Sequence, residues 1–253
     1  MRPNLLRALK AQRTPIVNAW LSINSGYAAE LISHQGYDAV TVDCQHGMIG
    51  YDAAVVMLQA ISTTQAVPLV RPSRNDPGEI MRFLDAGAYG IICPMISTRT
   101  DAEALVAACR YAPVGSRSFG PARGLLYGGA DYAACANAEI LVFAMIETAD
   151  GLANLDAILA TPGLDGIYVG PNDLALALGC SPVPESNDPV MIEAVERIRA
   201  TTVACGKIAG IFCSGGEGAA RRISEGFDLV TPSNDAVLLK TAAAAAAARA
   251  RAV

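Results

Sequence analysis

Apolar residues in this chain fall into short runs separated by longer stretches with helical spacing, and the alternation continues from end to end. Eight runs, 16–21, 39–43, 67–70, 90–95, 140–146, 166–169, 208–213 and 227–231, are too short for globular helices and read as strands. The segments between them carry helix punctuation. Asp76, Pro77 and Glu79 make a capped start with proline at the first helical position, Thr100 with Glu103 suggests a capping box, and Gly87 and Gly226 stand where helices should stop. Eight strand and helix units in 253 residues fit a (β/α)8 barrel better than a doubly wound sheet, since no GxGxxG follows the first strand. Gly215, Gly216 and Gly218 come late, before a helix, and leave open a flexible loop or a backbone anion nest.

Two segments leave the repeat. Residues 111–139 form a long excursion with glycines, prolines, Arg117 and Arg123, and such loops usually carry function or contacts. Residues 235–251 include seven consecutive alanines, which predict a helix with little to bury against its own barrel. Either it is a solvent-facing tail or it meets a neighbouring subunit.

Composition narrows the partners. At 52% hydrophobic and 17% charged, the chain can fill one large core, so residues 1–253 are expected to form one domain. A net charge of -5, with the basic residues scattered, argues against nucleic acid. Apolar runs shorter than a membrane span, and an N-terminus without a signal-peptide core, suggest a cytoplasmic protein away from membranes. Seven cysteines without a CxxC pair read as buried thiols rather than a zinc site or disulfides.

The chemistry-bearing residues cluster at strand ends, which in a barrel face one cleft. Asp43, Gln45 and His46 follow the second strand, Arg71 the third, Glu147 the fifth, and Gly170, Asn172 and Asp173 the sixth. Glu147 and Asp173 end neighbouring strands and could share one cation, although Asp173 could instead simply cap the next helix. His46, with Asp43 three residues earlier, suits acid–base work, whereas His34 sits at a helix end where a cation needs no chemistry. Arg71, at the end of an apolar strand, suits developing negative charge better than a surface ion pair. Trp20 and the chain near Cys213 and Ser214 are expected to line the cleft.

The blocks VDCQHG, VRPSRNDPGEIMRFLDAGAYGIICPMI, RSFGPAR, MIETADGLANLDAIL and GIYVGPNDLALALG resemble the signature segments of the HpcH/HpaI aldolase family, over residues 20–239. The resemblance implies a metal-dependent class II aldolase that cleaves 4-hydroxy-2-oxo acids to pyruvate, or a related 2-oxo acid such as hydroxypyruvate, and an aldehyde. It implies a (β/α)8 barrel whose last helix, 235–253, is exchanged between subunits, typically in a homohexamer. It assigns Glu147 and Asp173 to the metal, Arg71 to the keto oxygen, and proton transfer through a water to His46 aided by Asp43. It also expects Asp85 to reach a neighbouring active site. Many members carry Glu where this chain has Gln45.

Two carboxylates favour a hard cation, Mg²⁺ or Mn²⁺ with Co²⁺ as a substitute, over zinc. The N–H groups of Asn172 and Asp173 at a helix start would seat the substrate carboxylate. A Schiff-base mechanism needs a lysine in the cleft, and Lys10, Lys207 and Lys240 all read as misplaced for it. Two further alternatives are a CoA-thioester lyase of the same superfamily and a catalytically silent oligomeric binding barrel.

Overall fold

A computed structural model describes residues 1–183 and 185–252. Among them, eight parallel strands pair in chain order and close on themselves: β1 (Ile16–Leu21), β2 (Ala39–Asp43), β3 (Val67–Arg71), β4 (Gly90–Cys93), β5 (Leu141–Ile146), β6 (Gly166–Val169), β7 (Ile208–Phe212) and β8 (Leu229–Thr231). This is the (β/α)8 barrel read from the sequence. The strands are near-continuous apolar runs because both faces are covered, one by the barrel interior and the other by the helical layer.

Helix α1 (Leu5–Ala11) precedes the barrel. The outer layer is α2 (Gly26–Ser33), α3 (Tyr51–Ile61), α4 (Pro77–Asp85), α5 (Arg99–Cys109), α6 (Ala122–Gly128), α7 (Tyr132–Glu139), α8 (Ala149–Ala153), α9 (Leu155–Leu159), α10 (Pro171–Ala177), α11 (Pro189–Ala204), α12 (Gly215–Glu225) and α13 (Asp235–Arg251). Local chemistry sets their ends. Asp76 accepts the Glu79 N–H at the start of α4, with Pro77 in the first turn, and Gly226 ends α12 in the left-handed region.

Several boundaries differ from the sequence reading. The capping box is Thr98 with Asp101, not Thr100 with Glu103, because β4 stops at Cys93 and the helix follows sooner. The chain turns at Met95, whose φ of 59° is left-handed and cannot continue a strand. Between β5 and β6 the chain forms two short helices rather than one, broken at Asn154, whose side chain donates to the Ser97 carbonyl at 2.9 Å. The excursion 111–139 contains α6 and α7. β8 starts later than residue 227 because the Phe227 N–H still donates to the Arg222 carbonyl, finishing α12.

Inside the barrel, below its C-terminal mouth, lies a buried polar layer. Tyr168 donates to Thr231 Oγ1 at 2.6 Å, Asn18 to the same oxygen at 2.9 Å, and Thr41 to Asn18 Oδ1 at 3.0 Å. Each group is paired, so the layer avoids the roughly 1–3 kcal/mol cost of an orphaned buried polar atom. It fixes the floor on which the mouth is built. At the rim, Asp235 anchors α13 to its own barrel by accepting the N–H groups of Ser22 at 2.8 Å and Ile23 at 3.2 Å. Beyond that turn α13 is exposed.

Candidate active site

Asp43 and Arg71 are register partners at the ends of β2 and β3, so their side chains emerge side by side. Arg71 donates from Nε to Asp43 Oδ1 at 2.8 Å and from Nη2 to Oδ2 at 2.6 Å, a two-pronged ion pair. The fork leaves Nη1 to face the cleft, 3.9 Å from the Met145 sulfur. Trp20 supports the pair from β1: its Nε1 donates to Asp43 Oδ2 at 3.1 Å, and the guanidinium lies 4.9 Å from its ring centroid. Burial pushes the Asp43 carboxyl up, but the Arg71 hydrogen bonds and charge, with help from Trp20 and the His46 N–H, hold it below its ordinary range.

Asp43 also shapes the loop that carries His46. Its Oδ1 accepts the backbone N–H groups of Gln45 at 3.0 Å and His46 at 3.2 Å. The turn closes so tightly that a Cβ at Gly47 would overlap the Asp43 carbonyl. His46 is thereby presented at the cleft, exposed. Asp43 therefore acts on His46 through its backbone, and its carboxylate is committed to Arg71 and Trp20 rather than to the imidazole. At Gln45, buried Oε1 finds no partner among the described residues. A neutral amide there costs less than the uncompensated charge a carboxylate would bring.

Across the mouth, Glu147 follows β5 and is 2% exposed. The strained Met95 backbone aims its N–H at Glu147 Oε1 at 2.7 Å. That corner is braced where Ser97 Oγ meets Thr148 Oγ1 at 2.8 Å. The second oxygen, Oε2, accepts no hydrogen bond among the described residues, and a Cβ at Gly170 would overlap it. Asp173 stands in the first turn of α10, whose N-cap is Gly170 without side-chain capping. Asp173 is therefore not the N-cap of α10, and among the described residues its carboxylate accepts no hydrogen bond. Burial, reinforced by the Asp173 charge against the Met95 N–H and Arg71, pushes Glu147 up to about 7.

A carboxylate with one oxygen free of hydrogen bonds among the described residues, sharing a cavity with a second carboxylate, fits a divalent cation. Among the described residues no group of three or more His, Cys, Asp or Glu could hold a metal. Two protein carboxylates would therefore leave most of the coordination shell to water and substrate oxygens.

These residues line one cavity of about 690 Å³ together with Trp20, Gly170, Asn172, Tyr168, Phe212, Val237 and Lys240. Sequence reasoning missed several of these. Tyr168 and Met145 are inward-facing strand positions just below the mouth, a signal present in the strand alternation. Phe212 takes the place expected for Cys213 and Ser214; Cys213 is 1% exposed and turned into the core. Lys240, read as misplaced, lines the cleft from α13. Asp85 does not join the others: it ends α4 and pairs with Arg117 at 2.7 Å, burial raising its carboxyl against the pull of that arginine.

The late glycines do not make an open anion nest. Glu185 fills that place, accepting the Ser214 N–H at 3.4 Å and pairing with Arg221 at 2.6 Å. Cysteine chemistry is equally closed: all seven thiols are free, and burial pushes Cys44, Cys109 and Cys213 each up to about 12. Cys205 is exposed and Cys44, Cys135 and Cys180 are half-buried, so only Cys93, Cys109 and Cys213 are the buried thiols expected.

Residues 17–242 match the family described as HpcH/HpaI aldolase/citrate lyase. The chain is 42% identical over 250 residues to a hydroxypyruvate/pyruvate aldolase from Rhizorhabdus wittichii, covering 99% of this chain and 100% of that one. It is 36% identical over 245 residues to a 4-hydroxy-2-oxo-heptane-1,7-dioate aldolase from Salmonella arizonae, covering 96% and 92%. Its fold superimposes with a TM-score of 0.91 on the crystal structure of an HpcH/HpaI aldolase/citrate lyase family protein from Burkholderia cenocepacia, 32% identical, over 98% of this chain and 99% of that one.

Proposed function

Since the chain belongs to the HpcH/HpaI aldolase/citrate lyase family and is a lyase of the aldolase kind, we propose that it reversibly cleaves 4-hydroxy-2-oxo acids to a 2-oxo acid and an aldehyde. Pyruvate is the donor on this reading, with hydroxypyruvate a related one, in keeping with the name of the Rhizorhabdus relative. One observation carries it: the orphaned Glu147 oxygen opens beside Asp173 onto the cleft that also holds Arg71 and His46.

Glu147 and Asp173 would hold Mg²⁺ or Mn²⁺, with Co²⁺ as a substitute, and the ion supplies Lewis-acid polarisation of the donor carbonyl. The remaining steps belong to the chain. Arg71, locked by Asp43, has Nη1 left to meet the 2-oxo oxygen as charge develops there during cleavage. His46 takes the proton of the 4-hydroxyl in cleavage and returns it in addition, through a water. Pro171 has no N–H, so Asn172 and Asp173 offer theirs to the donor carboxylate. Trp20, itself buried, packs its ring against the Arg71 guanidinium. Lys240 does not restore a Schiff-base route, because it stands exposed on α13 rather than enclosed in an apolar pocket.

The same reading makes residues 1–253 one barrel domain in the cytoplasm, and 235–253 an oligomerisation helix in a homohexamer, with Asp85 directed toward a neighbour's site. Leu238 and Leu239, 43% and 62% exposed, support it by leaving an apolar stripe for another subunit. Light scattering should find an assembly that deletion of residues 236–253 breaks down; a monomer before and after deletion would remove this part.

Metal removal tests the core of the reading. EDTA should abolish both cleavage and exchange of pyruvate methyl protons with solvent, and Mg²⁺, Mn²⁺ or Co²⁺ should restore both. Full activity in chelator, or covalent trapping of pyruvate by borohydride, would overturn it.

A further inference from the structure

One oxygen of Glu147 is committed within the chain. Oε1 accepts the Met95 N–H at 2.7 Å, and the rest of the carboxylate packs so closely over Gly170 that a Cβ there would overlap Oε2. Gripped from two sides, the side chain has only Oε2 left for a ligand.

Holding Oε1 in this way takes an unfavourable backbone. Met95 has a φ of 59°, which a side chain rarely adopts, and its own side chain is 55% exposed and lies outside the cleft lining. Contacts between two loops keep it there. Ser97 Oγ meets Thr148 Oγ1 at 2.8 Å and the Met95 carbonyl at 3.4 Å, and Asn154 donates to the Ser97 carbonyl at 2.9 Å. Asp101 accepts the N–H groups of Ser97 at 3.2 Å and Thr98 at 2.8 Å, which ties the same turn to α5. The strained residue contributes one thing to the site, its N–H on Glu147.

A carboxylate with one oxygen withheld discriminates between cations. Ca²⁺ has a large, flexible shell that often takes both oxygens of one carboxylate, whereas Mg²⁺ keeps a small octahedral shell rich in water. We propose that Met95, braced by Ser97 and Asn154, is a positioning residue that sets the cation preference of the centre. Its N–H occupies Oε1, keeps Glu147 a one-oxygen ligand and so favours Mg²⁺ and Mn²⁺ over Ca²⁺. The inference rests on Glu147 as a metal ligand, and adds which ions that ligand admits and what enforces the choice.

The test measures binding rather than turnover. Mn²⁺ binding to the substrate-free, full-length protein is followed by the electron paramagnetic resonance signal of the free ion, and Mg²⁺ and Ca²⁺ are ranked by their displacement of Mn²⁺. Their affinity ratio is taken within one protein, so a general loss of affinity cancels. Wild type should bind Mg²⁺ at least as tightly as Ca²⁺. Ser97→Ala with Asn154→Ala removes the brace, releases Met95 from the left-handed region, and should shift the ratio toward Ca²⁺ by about tenfold, the scale for a group that orients a metal ligand. Each single substitution should shift it in the same direction, which preserves the comparison if the pair does not fold. Adding Met95→Gly should shift the ratio back, because glycine holds left-handed backbone without strain. A general structural defect would not be reversed by that change. Tighter binding of Ca²⁺ by wild type, an unchanged ratio in the folded brace variants, or a shift that glycine does not reverse overturns the proposal, while Mn²⁺ bound by wild type leaves the metal reading standing. A wild type that leaves all Mn²⁺ free overturns both.

Discussion

Asp43 and Arg71 on one side of the barrel mouth, and Glu147 and Asp173 on the other, are built on opposite plans. The first pair has opposite signs, matched register and a two-pronged hydrogen bond, and Trp20 takes part of the remaining capacity. The second has like signs, a single backbone donor from a strained residue, and, among the described residues, oxygens that accept nothing else. Their titration follows: Asp43 is held below its ordinary range and Glu147 rises to about 7. One pair is complete within the chain and can serve as a fixed dipole. On the reading proposed above the other is completed by a cation, so the site's most costly arrangement would also be the one that selects its cofactor.

The sharpest way to break this contrast is to open the completed pair. Arg71→Ala strands a buried carboxylate and should cost about 3–5 kcal/mol of stability, as well as abolishing pyruvate proton exchange. Loss of fold and loss of chemistry are then confounded, so the decisive variant is double. Asp43→Asn with Arg71→Met removes both charges and should recover most of the stability in urea unfolding, while proton exchange stays absent. If the double variant exchanges protons at the wild-type rate, Arg71 is not the group that meets the developing charge.

The two pairs were not equally legible in the sequence. Their strand ends were, because a barrel turns every such residue toward one mouth, and eight short apolar runs are hard to arrange otherwise. The partnership of Asp43 with Arg71 was not, since it depends on register, and 28 residues separate them. Asp43 looked like an aid to the imidazole of His46 because it lies three residues earlier and the family resemblance gives it that part. The Met95 corner was hidden for a related reason: methionine carries no propensity for left-handed backbone, so tertiary contacts at Ser97, Thr148 and Asn154 must impose it. Lys240 was weighed only as a Schiff-base lysine and set aside for lying in the terminal helix; its place in the cleft wall depends on how the first turn of α13 is anchored over the barrel mouth. Phe212 instead of Cys213 follows from the period of two, by which a slip of one residue exchanges inside for outside.

The incomplete pair offers a smaller and finer effect, read through pH in the metal-free protein. Burial, with the Asp173 charge, raises Glu147 from its ordinary 4.5 to about 7, so between these values the folded state holds a proton that the unfolded state has released. Folded protein binding more protons means stability falls as pH rises through this window, the reverse of a salt-bridged carboxylate such as Asp43. The loss should reach up to about 3 kcal/mol by pH 8, from roughly 1.4 kcal/mol per pH unit. Glu147→Gln removes the titration without removing the side chain's bulk, so its stability should decline less between pH 5 and pH 8 than that of wild type. A divalent ion competes with that proton, and its stabilising effect on wild type should therefore be weaker at pH 5 than at pH 8. Calorimetric unfolding of both proteins, with chelator and with Mg²⁺, measures each quantity. Parallel pH profiles for wild type and Glu147→Gln in chelator would show that Glu147 is ionised in the folded protein without a cation, and the contrast between the two pairs would be lost.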